Sequence, residues 1–371
     1  FLNCDKVFSA RILPKSSFSF CSIIATEVSS QLVSIPNTII FYTLEYLSKI
    51  FYATKINRLL IMIYPSKKIT VGSRESPLAK AQVKVFLNVL SNKFGVSSLK
   101  FIKSKFLKTS GDIFLNKNIS EIGNKGLFTK EIDEAQLRSE IDIAVHSLKD
   151  MDSIETKGLV IQAYLKRNDP RESFISRKFK KLSELDNAKI GSSSRRRELQ
   201  LKLFNKNIKV ENIRGNIDTR IKKVEAGEYD GAILALAGLK MLNLEKYAKE
   251  IFSTKDFIPT AGQGIVAAQC REDDKNTKEV LKRINHNETE KCALAERSFL
   301  KTLGGDCDTA VGCSAILKKD NIELNAQLFS DDGKKVFNVM KLGKANEPHL
   351  LGKIAGEEIL KKSGNNFIKK R

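Results

Sequence analysis

The sequence has no tryptophan, three histidines and seven prolines in 371 residues. His146, His286 and His349 stand far apart, and no two of the six cysteines form a C-x-x-C pair, so the chain offers no pattern for a structural zinc site. Cys4, Cys21, Cys270, Cys292, Cys307 and Cys313 do not form the framework of a disulfide-stapled protein in a chain this long, which points to a reducing compartment. A dinucleotide-type G-x-G-x-x-G is also missing. No uninterrupted apolar run reaches the ~20 residues that span a bilayer. The stretch around Thr38–Tyr42 and Leu59–Tyr64 is broken by Glu45, Lys49, Lys55 and Arg58. Acidic residues are in deficit, 43 against 64 Lys+Arg, for a formal balance of +21.

What is present is a globular composition, 42% hydrophobic and 29% charged, in a length that suits two or three domains. The positive balance suggests an anionic partner. Lysine dominates it, 48 residues against 16 arginines, and scattered lysine is usually a solvated face. Arginine placement is more informative: eight of the 16 fall between Arg167 and Arg220, including the run Arg195-Arg196-Arg197. Guanidinium forks suit carboxylates and phosphates alike. No aromatic residues interleave with the basic ones in an RNA-binding pattern.

Residues 1–67 have a different texture. Phe1 to Lys68 contains three acidic residues (Asp5, Glu27, Glu45) and eight basic ones, with abundant Ser and Phe. A Ser-rich, acid-poor, basic segment is the composition of an organelle-targeting extension. With the Lys, Asn and Ile bias of the chain, it predicts a nuclear-encoded protein of a plastid or relict plastid (apicoplast), a mitochondrion or the cytoplasm being the alternatives.

From Lys68 onward strand and helix patterns alternate. Ile69-Thr-Val-Gly reads as a strand, and Ser76-Pro77 opens a helix as N-cap and first helical residue. A helix over Lys130–Glu140 precedes a short buried strand, Ile141–Val145. Lys189–Gly191 is a strand leading into a helix from Ser192-Ser-Ser-Arg-Arg-Arg, and Tyr229–Leu236 a strand leading into Ala237–Leu242. This alternation predicts an α/β chain with largely parallel sheets. After Asn285 a helix over Glu288–Thr302, strands at Ser314–Leu317 and Ile322–Phe329, and a turn at Ser330–Lys334 predict a smaller α+β domain.

In open α/β sheets ligands bind beyond the carboxyl ends of strands, where helix N-termini offer free N–H groups. Four segments place reactive side chains there: Ser73–Ser76, His146–Asp150, Ser192–Arg197, and Asn212–Asn216 with Asp218–Arg220. Together with Lys125 they supply Arg74, Lys149, Arg196, Arg197, Arg214 and Arg220 around the carboxylate of Asp150. That set suits a cleft for a polyanion in which Asp150 faces a developing positive charge. Cys307 sits in a Gly-bearing loop, Leu303-Gly-Gly-Asp-Cys-Asp-Thr-Ala310, where neighbouring aspartates disfavour the thiolate; it reads as an attachment point rather than a protease nucleophile.

These blocks, in order, are Val71–Ala79, Gly123–Lys130, Ile143–Asp150, Asp169–Arg171, Gly191–Arg197, Ile213–Asn216 with Thr219-Arg220, Pro259–Gly264, and Ala295–Leu300 with Gly305–Cys307. The sequence from Lys68 to the C-terminus thereby resembles the porphobilinogen deaminases, also called hydroxymethylbilane synthases. The resemblance implies a transferase of tetrapyrrole (haem) biosynthesis. Such an enzyme condenses four porphobilinogen molecules head to tail and releases four ammonia to form hydroxymethylbilane. It also implies a dipyrromethane cofactor held by a thioether to Cys307, with Asp150 as the catalytic aspartate. Cofactor-binding residues by the same resemblance are Arg74, Ser76, Lys125, Lys149, Ser194, Arg196, Arg197, Arg214 and Arg220; Arg74, Arg214, Arg220, Arg167 and Gln263 would bind substrate.

The implied architecture is two doubly wound lobes like type-II periplasmic binding proteins plus a small α+β domain carrying Cys307. Domain 1 would comprise 68–168 and 264–284, domain 2 169–263, and domain 3 285–371. The implied protein is a monomer whose product passes to a uroporphyrinogen-III synthase, with no metal, nucleic acid or membrane partner. Four positions at three places depart from the family pattern. Met151-Asp152 follows Asp150 where Val-Pro is usual, Ala310 stands where a loop proline is usual, and Glu121 replaces a lysine.

Overall fold

The strand Ile69–Arg74 (β1) and the helix Pro77–Phe94 (α1) form for local reasons. Ser76 is extended and its Oγ accepts the Ala79 N–H at 3.3 Å, while Pro77 needs no donor at the first turn. Ala79, Val83, Phe86 and Leu90, at helical spacing, bury one face of α1. The computed structural model describes residues 68–113, 126–304, 310–330 and 332–364, and the account is of these. They continue through β2 (Ile102–Leu107), α2 (Lys130–Leu137), β3 (Ile143–Ser147), β4 (Leu159–Tyr164), β5 (Glu172–Ile175), β6 (Lys189–Gly191), α3 (Arg195–Phe204), β7 (Lys209–Glu211), α4 (Ile217–Glu225), β8 (Gly231–Ala235), α5 (Leu236–Met241), β9 (Ala248–Ile251) and β10 (Val266–Arg271). Then follow α6 (Lys275–Ile284), α7 (Asn287–Leu303), β11 (Val311–Lys318), β12 (Asn321–Phe329), β13 (Val336–Lys344) and α8 (Pro348–Ser363).

Two five-stranded sheets result, ordered β2-β1-β3-β10-β4 and β7-β6-β8-β5-β9, with a three-stranded antiparallel sheet β11-β12-β13. The expectation of largely parallel sheets is corrected: both large sheets are mixed. In the first, β10 runs antiparallel to both β3 and β4; in the second, β5 runs antiparallel to both β8 and β9. Each of these is the first strand after a crossing between lobes. A chain arriving at the cleft side of a sheet must run away from the cleft, whereas its neighbours run towards it. The α2 helix is shorter than expected because the chain turns at Ser139, which has φ +59°. The following strand starts two residues later than expected because Asp142 spends its side chain on the Thr70 N–H, at 2.8 Å, and on Arg271.

The first crossing, 165–171, is paired with the end of the second, 252–265, and the start of β10: Leu165 N–H donates to Val266 O and Asn168 N–H to Gly264 O. Gly264 has φ +81°, and a Cβ there would lie 2.7 Å from Asn168 O, so only glycine lets the crossings meet so closely. In the C-terminal unit α7 and α8 cover one face of the small sheet around Phe299, Leu324, Leu328, Val339 and Ile359. Gly352 lets α8 press on α7, since a Cβ there would sit 2.2 Å from Ala295 O.

Candidate functional site

The carboxyl ends of β1, β3, β6 and β8 and the two crossings meet in a cleft of about 360 Å³. Its lining includes Arg74, Ser76, Lys149, Asp150, Ser194, Arg197, Arg214, Arg220 and Gln263, so nine residues singled out from sequence, scattered over 190 positions, come together. Among the described lining residues the acids are Asp112 and Asp150.

Helix starts build one side. Helix α1 has no acidic residue in its first turn, leaving its N-terminal dipole to attract an anion. In α3, Ser194 Oγ accepts the Arg197 N–H at 3.4 Å, which holds the helix start at the cleft. Gly215, at φ +108°, turns the chain between Arg214 and α4, and its carbonyl accepts from Arg220 Nε at 2.8 Å. On the lobe-1 side, Asp150 lies in a single tight turn, Leu148–Asp150, directly after β3. Asp150 Oδ2 is 3.8 Å from Arg74 Nη1. Lys149 Nζ donates to Gln263 Oε1 at 3.4 Å, and Gln263 Nε2 donates to Pro170 O at 2.8 Å, tying the lysine to both crossings.

The cations crowd one another. Burial first, then the charges of Arg197 and Arg214, push the Arg220 pKa down to about 10, with Asp150 opposing. Burial likewise lowers those of Lys149 and Arg214. Arginine does not give up its proton at physiological pH, so the same free energy appears as attraction for an incoming anion.

Two of the residues expected as ligands face elsewhere in this structure. Arg196 is buried and does not line the cleft: Nη2 donates to Glu172 Oε1 at 2.5 Å and Nη1 to Ile258 O at 2.8 Å. Arg197 shares the same carboxylate through Nε (3.0 Å) and Nη2 (2.8 Å) while still reaching the cleft. Glu172 is fully buried, and although burial alone would raise its pKa, Arg197, Arg196 and Lys149 bring it down to about 2. Arg167 is spent at the junction of the crossings with the C-terminal unit. It donates from Nη1 to Glu296 Oε1 at 2.6 Å, and Glu296 also accepts the N–H groups of Gly262 and Ala315. Lys125, Glu121 and Cys307 lie outside the described residues. Ala310, just beyond Cys307, is buried against Leu199 of α3 and Phe329, and its carbonyl accepts the Phe329 N–H at 3.0 Å. Asp152 acts on buried Asp133 of α2, whose carboxyl is pushed up to about 6 by burial first and by the Asp152 charge.

Asp112, Phe128, Glu172 and Glu296 were missed from sequence. Asp112 stands five residues beyond the end of β2, on the short turn of helix that follows it, and the two glutamates have no local signal.

Fold and cleft together define a class: a two-lobed α/β protein whose cleft, beside the two crossings, is lined mainly by cations suited to a multiply charged anion, with Asp150 among them. The family model described as porphobilinogen deaminase, dipyromethane cofactor binding domain, matches residues 69–279, and that of the porphobilinogen deaminase C-terminal domain matches 290–361. The porphobilinogen deaminase of Alkaliphilus metalliredigens is 39% identical over 303 residues, which cover 81% of this chain and 95% of that protein. That of Ehrlichia chaffeensis is 43% identical over 265 residues, covering 71% and 88%. The chain belongs to the porphobilinogen deaminase family, whose cofactor is dipyrromethane.

The donor set fits such a group. A cofactor of two pyrrole units with carboxylate side arms needs several cations and hydroxyls along one groove, and Lys149, Ser194, Arg197, Arg214 and Arg220 supply them.

Proposed function

We propose that this chain condenses four porphobilinogen units head to tail with release of four ammonia, and that one water adds to the terminal methylene as the tetrapyrrole is freed, giving hydroxymethylbilane. The observation that carries the reading is the Asp150 carboxylate, placed 3.8 Å from Arg74 in a cleft whose other described charged walls are Asp112, Lys149, Arg197, Arg214 and Arg220. The bound cofactor supplies the pyrrole terminus on which the chain grows.

The protein residues do the rest. Each porphobilinogen brings two carboxylates, which Arg74, Arg214 and Arg220 take by charge-assisted hydrogen bonds. In each cycle the aminomethyl C–N bond breaks and its nitrogen leaves as ammonia. A C–C bond then forms to a pyrrole α-carbon, which loses its proton. Positive charge develops on the pyrrole at both stages, and the Asp150 carboxylate stabilises it and can receive the proton. Lys149 and Arg220, which also line the cleft, hold further carboxylates, so that the substrate is pinned with its reacting carbon towards Asp150. The paired crossings at Leu165–Val266 and Asn168–Gly264 are the hinge about which the lobes part as the product lengthens.

Cys307 is the proposed attachment point, and Ala310, three residues beyond it, is buried against Leu199 of α3, the helix that Ser194 caps. The chain works as a monomer and hands its product to a uroporphyrinogen-III synthase. Residues 1–67 act as the targeting extension of a plastid or apicoplast protein; their acid-poor, Ser-rich composition supports this, as does the start of the family match at residue 69.

The test is the intact mass of the purified protein beside Cys307→Ala, together with steady-state turnover of porphobilinogen by Asp150→Ala. A mass increment of two porphobilinogen-derived units, lost in Cys307→Ala, and turnover reduced at least 100-fold in a folded Asp150→Ala are expected. An unmodified protein that binds but does not convert porphobilinogen would make the cleft that of a solute-binding protein.

A further inference from the structure

Arg74 is held on three sides. Its Nε and Nη2 donate to Asp112 Oδ2 (3.3 Å) and Oδ1 (2.5 Å), a side-on bidentate pair. Its guanidinium plane lies over the Phe128 ring, 4.3 Å from the centroid, and Phe128 fits there because residue 111 is glycine: a Cβ on Gly111 would lie 2.2 Å from the ring. Asp112 is fixed in turn by Thr109, whose N–H and Oγ1–H both donate to Oδ2, at 3.2 and 2.8 Å. Burial raises the Asp112 pKa, but Arg74 and Thr109 outweigh it and leave it below the usual carboxylate range.

An arginine has two bidentate edges, and Asp112 uses only the side-on one. The end-on edge, Nη1 with the second hydrogen of Nη2, is left towards the cleft, with Nη1 at 3.8 Å from Asp150. We infer that Asp112 is a positioning residue for the condensation. It clamps Arg74 so that its end-on edge receives a substrate carboxylate beside Asp150 and does not collapse into a closer pair with Asp150. The inference rests on the proposed reaction for its kinetic consequence, but not for the clamp itself.

Electrostatics and positioning give opposite signs. Deleting a negative charge from the wall of a cationic cleft strengthens its attraction for a dianion and lowers KM. Releasing Arg74 costs the oriented bidentate pair and raises KM. A lost charge-assisted bond of this kind corresponds to about tenfold or more.

The experiment uses the full cofactor-bearing chain, labelled with [15N]arginine. The Arg74 Nε–Hε signal is assigned by its absence in Arg74→Gln, and its hydrogen exchange is compared in the unsubstituted protein and in Asp112→Asn. Exchange at least tenfold faster in Asp112→Asn is expected, with the melting temperature within a few degrees. KM for porphobilinogen should rise at least tenfold in Asp112→Asn, and the same substitution in an Arg74→Gln background should change KM less than twofold. Arg74→Lys, which keeps the charge but loses the fork, should raise KM as Asp112→Asn does and supplies the same test should Asp112→Asn fold poorly. Unchanged Arg74 exchange, or a KM that falls or stays constant, overturns the inference. If the unsubstituted protein does not turn over porphobilinogen, the proposed reaction fails while the exchange comparison still decides the clamp.

Discussion

Replacing Glu172 by glutamine removes the charge that Arg196 and Arg197 share while keeping the shape of the side chain. Glu172 is fully buried on β5 and accepts three hydrogen bonds from two guanidinium groups that are themselves under 10% exposed. In Glu172→Gln two cations are left facing each other in a dry site, and the new amide N–H2 points donors at donors. Removing one partner of a buried ion pair costs about 3–5 kcal/mol. The protonation equilibrium gives the same scale: a carboxyl moved from 4.5 down to about 2 contributes about 3 kcal/mol at neutral pH. Because the folded-state pKa is depressed, this contribution is present above pH 4.5 and is lost as pH falls from there towards 2. Thermal unfolding followed by circular dichroism at pH 7 and near pH 3 is the assay. At 2–4 °C per kcal/mol, Glu172→Gln should melt roughly 6–20 °C lower at pH 7, with a smaller gap near pH 3. A gap under 2 °C at pH 7, or one that does not shrink in acid, would refute the reasoning. The first outcome would mean that the triad contributes no net stability, the second that the glutamate acts by packing rather than by charge.

Other expectations follow from single sites. Arg220→Ala should raise KM for porphobilinogen about 10–100-fold with little change in melting temperature, since it deletes one carboxylate clamp at the cleft wall; an unchanged KM would remove Arg220 from the substrate grip. Gly352→Ala sets helix propensity, about 1 kcal/mol in favour, against a Cβ 2.2 Å from Ala295 O. The contact should win, and urea titration should show a net loss of about 1–3 kcal/mol. Burial first, and the Arg74 charge, press the pKa of His146 down to about 4, against a pull from Gln269. It therefore costs stability as pH falls from 6.5 towards 4, about 2 kcal/mol between pH 7 and 5. Asp133, raised to about 6, pulls the other way by gaining stability as pH falls. The urea midpoints of His146→Asn and the unsubstituted protein at the two pH values isolate the histidine: the unsubstituted protein should lose the larger share of stability in acid, and equal losses would refute the assignment.

The parts that were legible in the sequence are those that neighbouring residues decide. Ser76-Pro77 and Ser194 cap helices because an N-cap is a local hydrogen bond between residues three apart. The strand-end position of Arg74, Asp150 and Arg214 follows from strands feeding helices, and the chemistry of Asp150 among cations from residue type alone. The tertiary fold decided the rest. Arg196 and Arg197 look equivalent in the chain, but consecutive residues on a helix project about 100° apart. One therefore points wholly into the interior at Glu172 and Ile258 O, while the other keeps contact with the cleft.

Arg167 was expected as a substrate ligand from the family resemblance, and in this structure Glu296, 129 residues away, holds it. The antiparallel runs of β5 and β10 were likewise invisible, because strand direction is set by the side from which the chain enters each sheet, not by hydrophobic alternation. Local hydrogen bonding and residue chemistry determine where reactive side chains can stand. Which of them remain available to a ligand depends on the buried counter-charges that the fold brings from far along the chain, because a low-dielectric interior leaves no arginine without a partner.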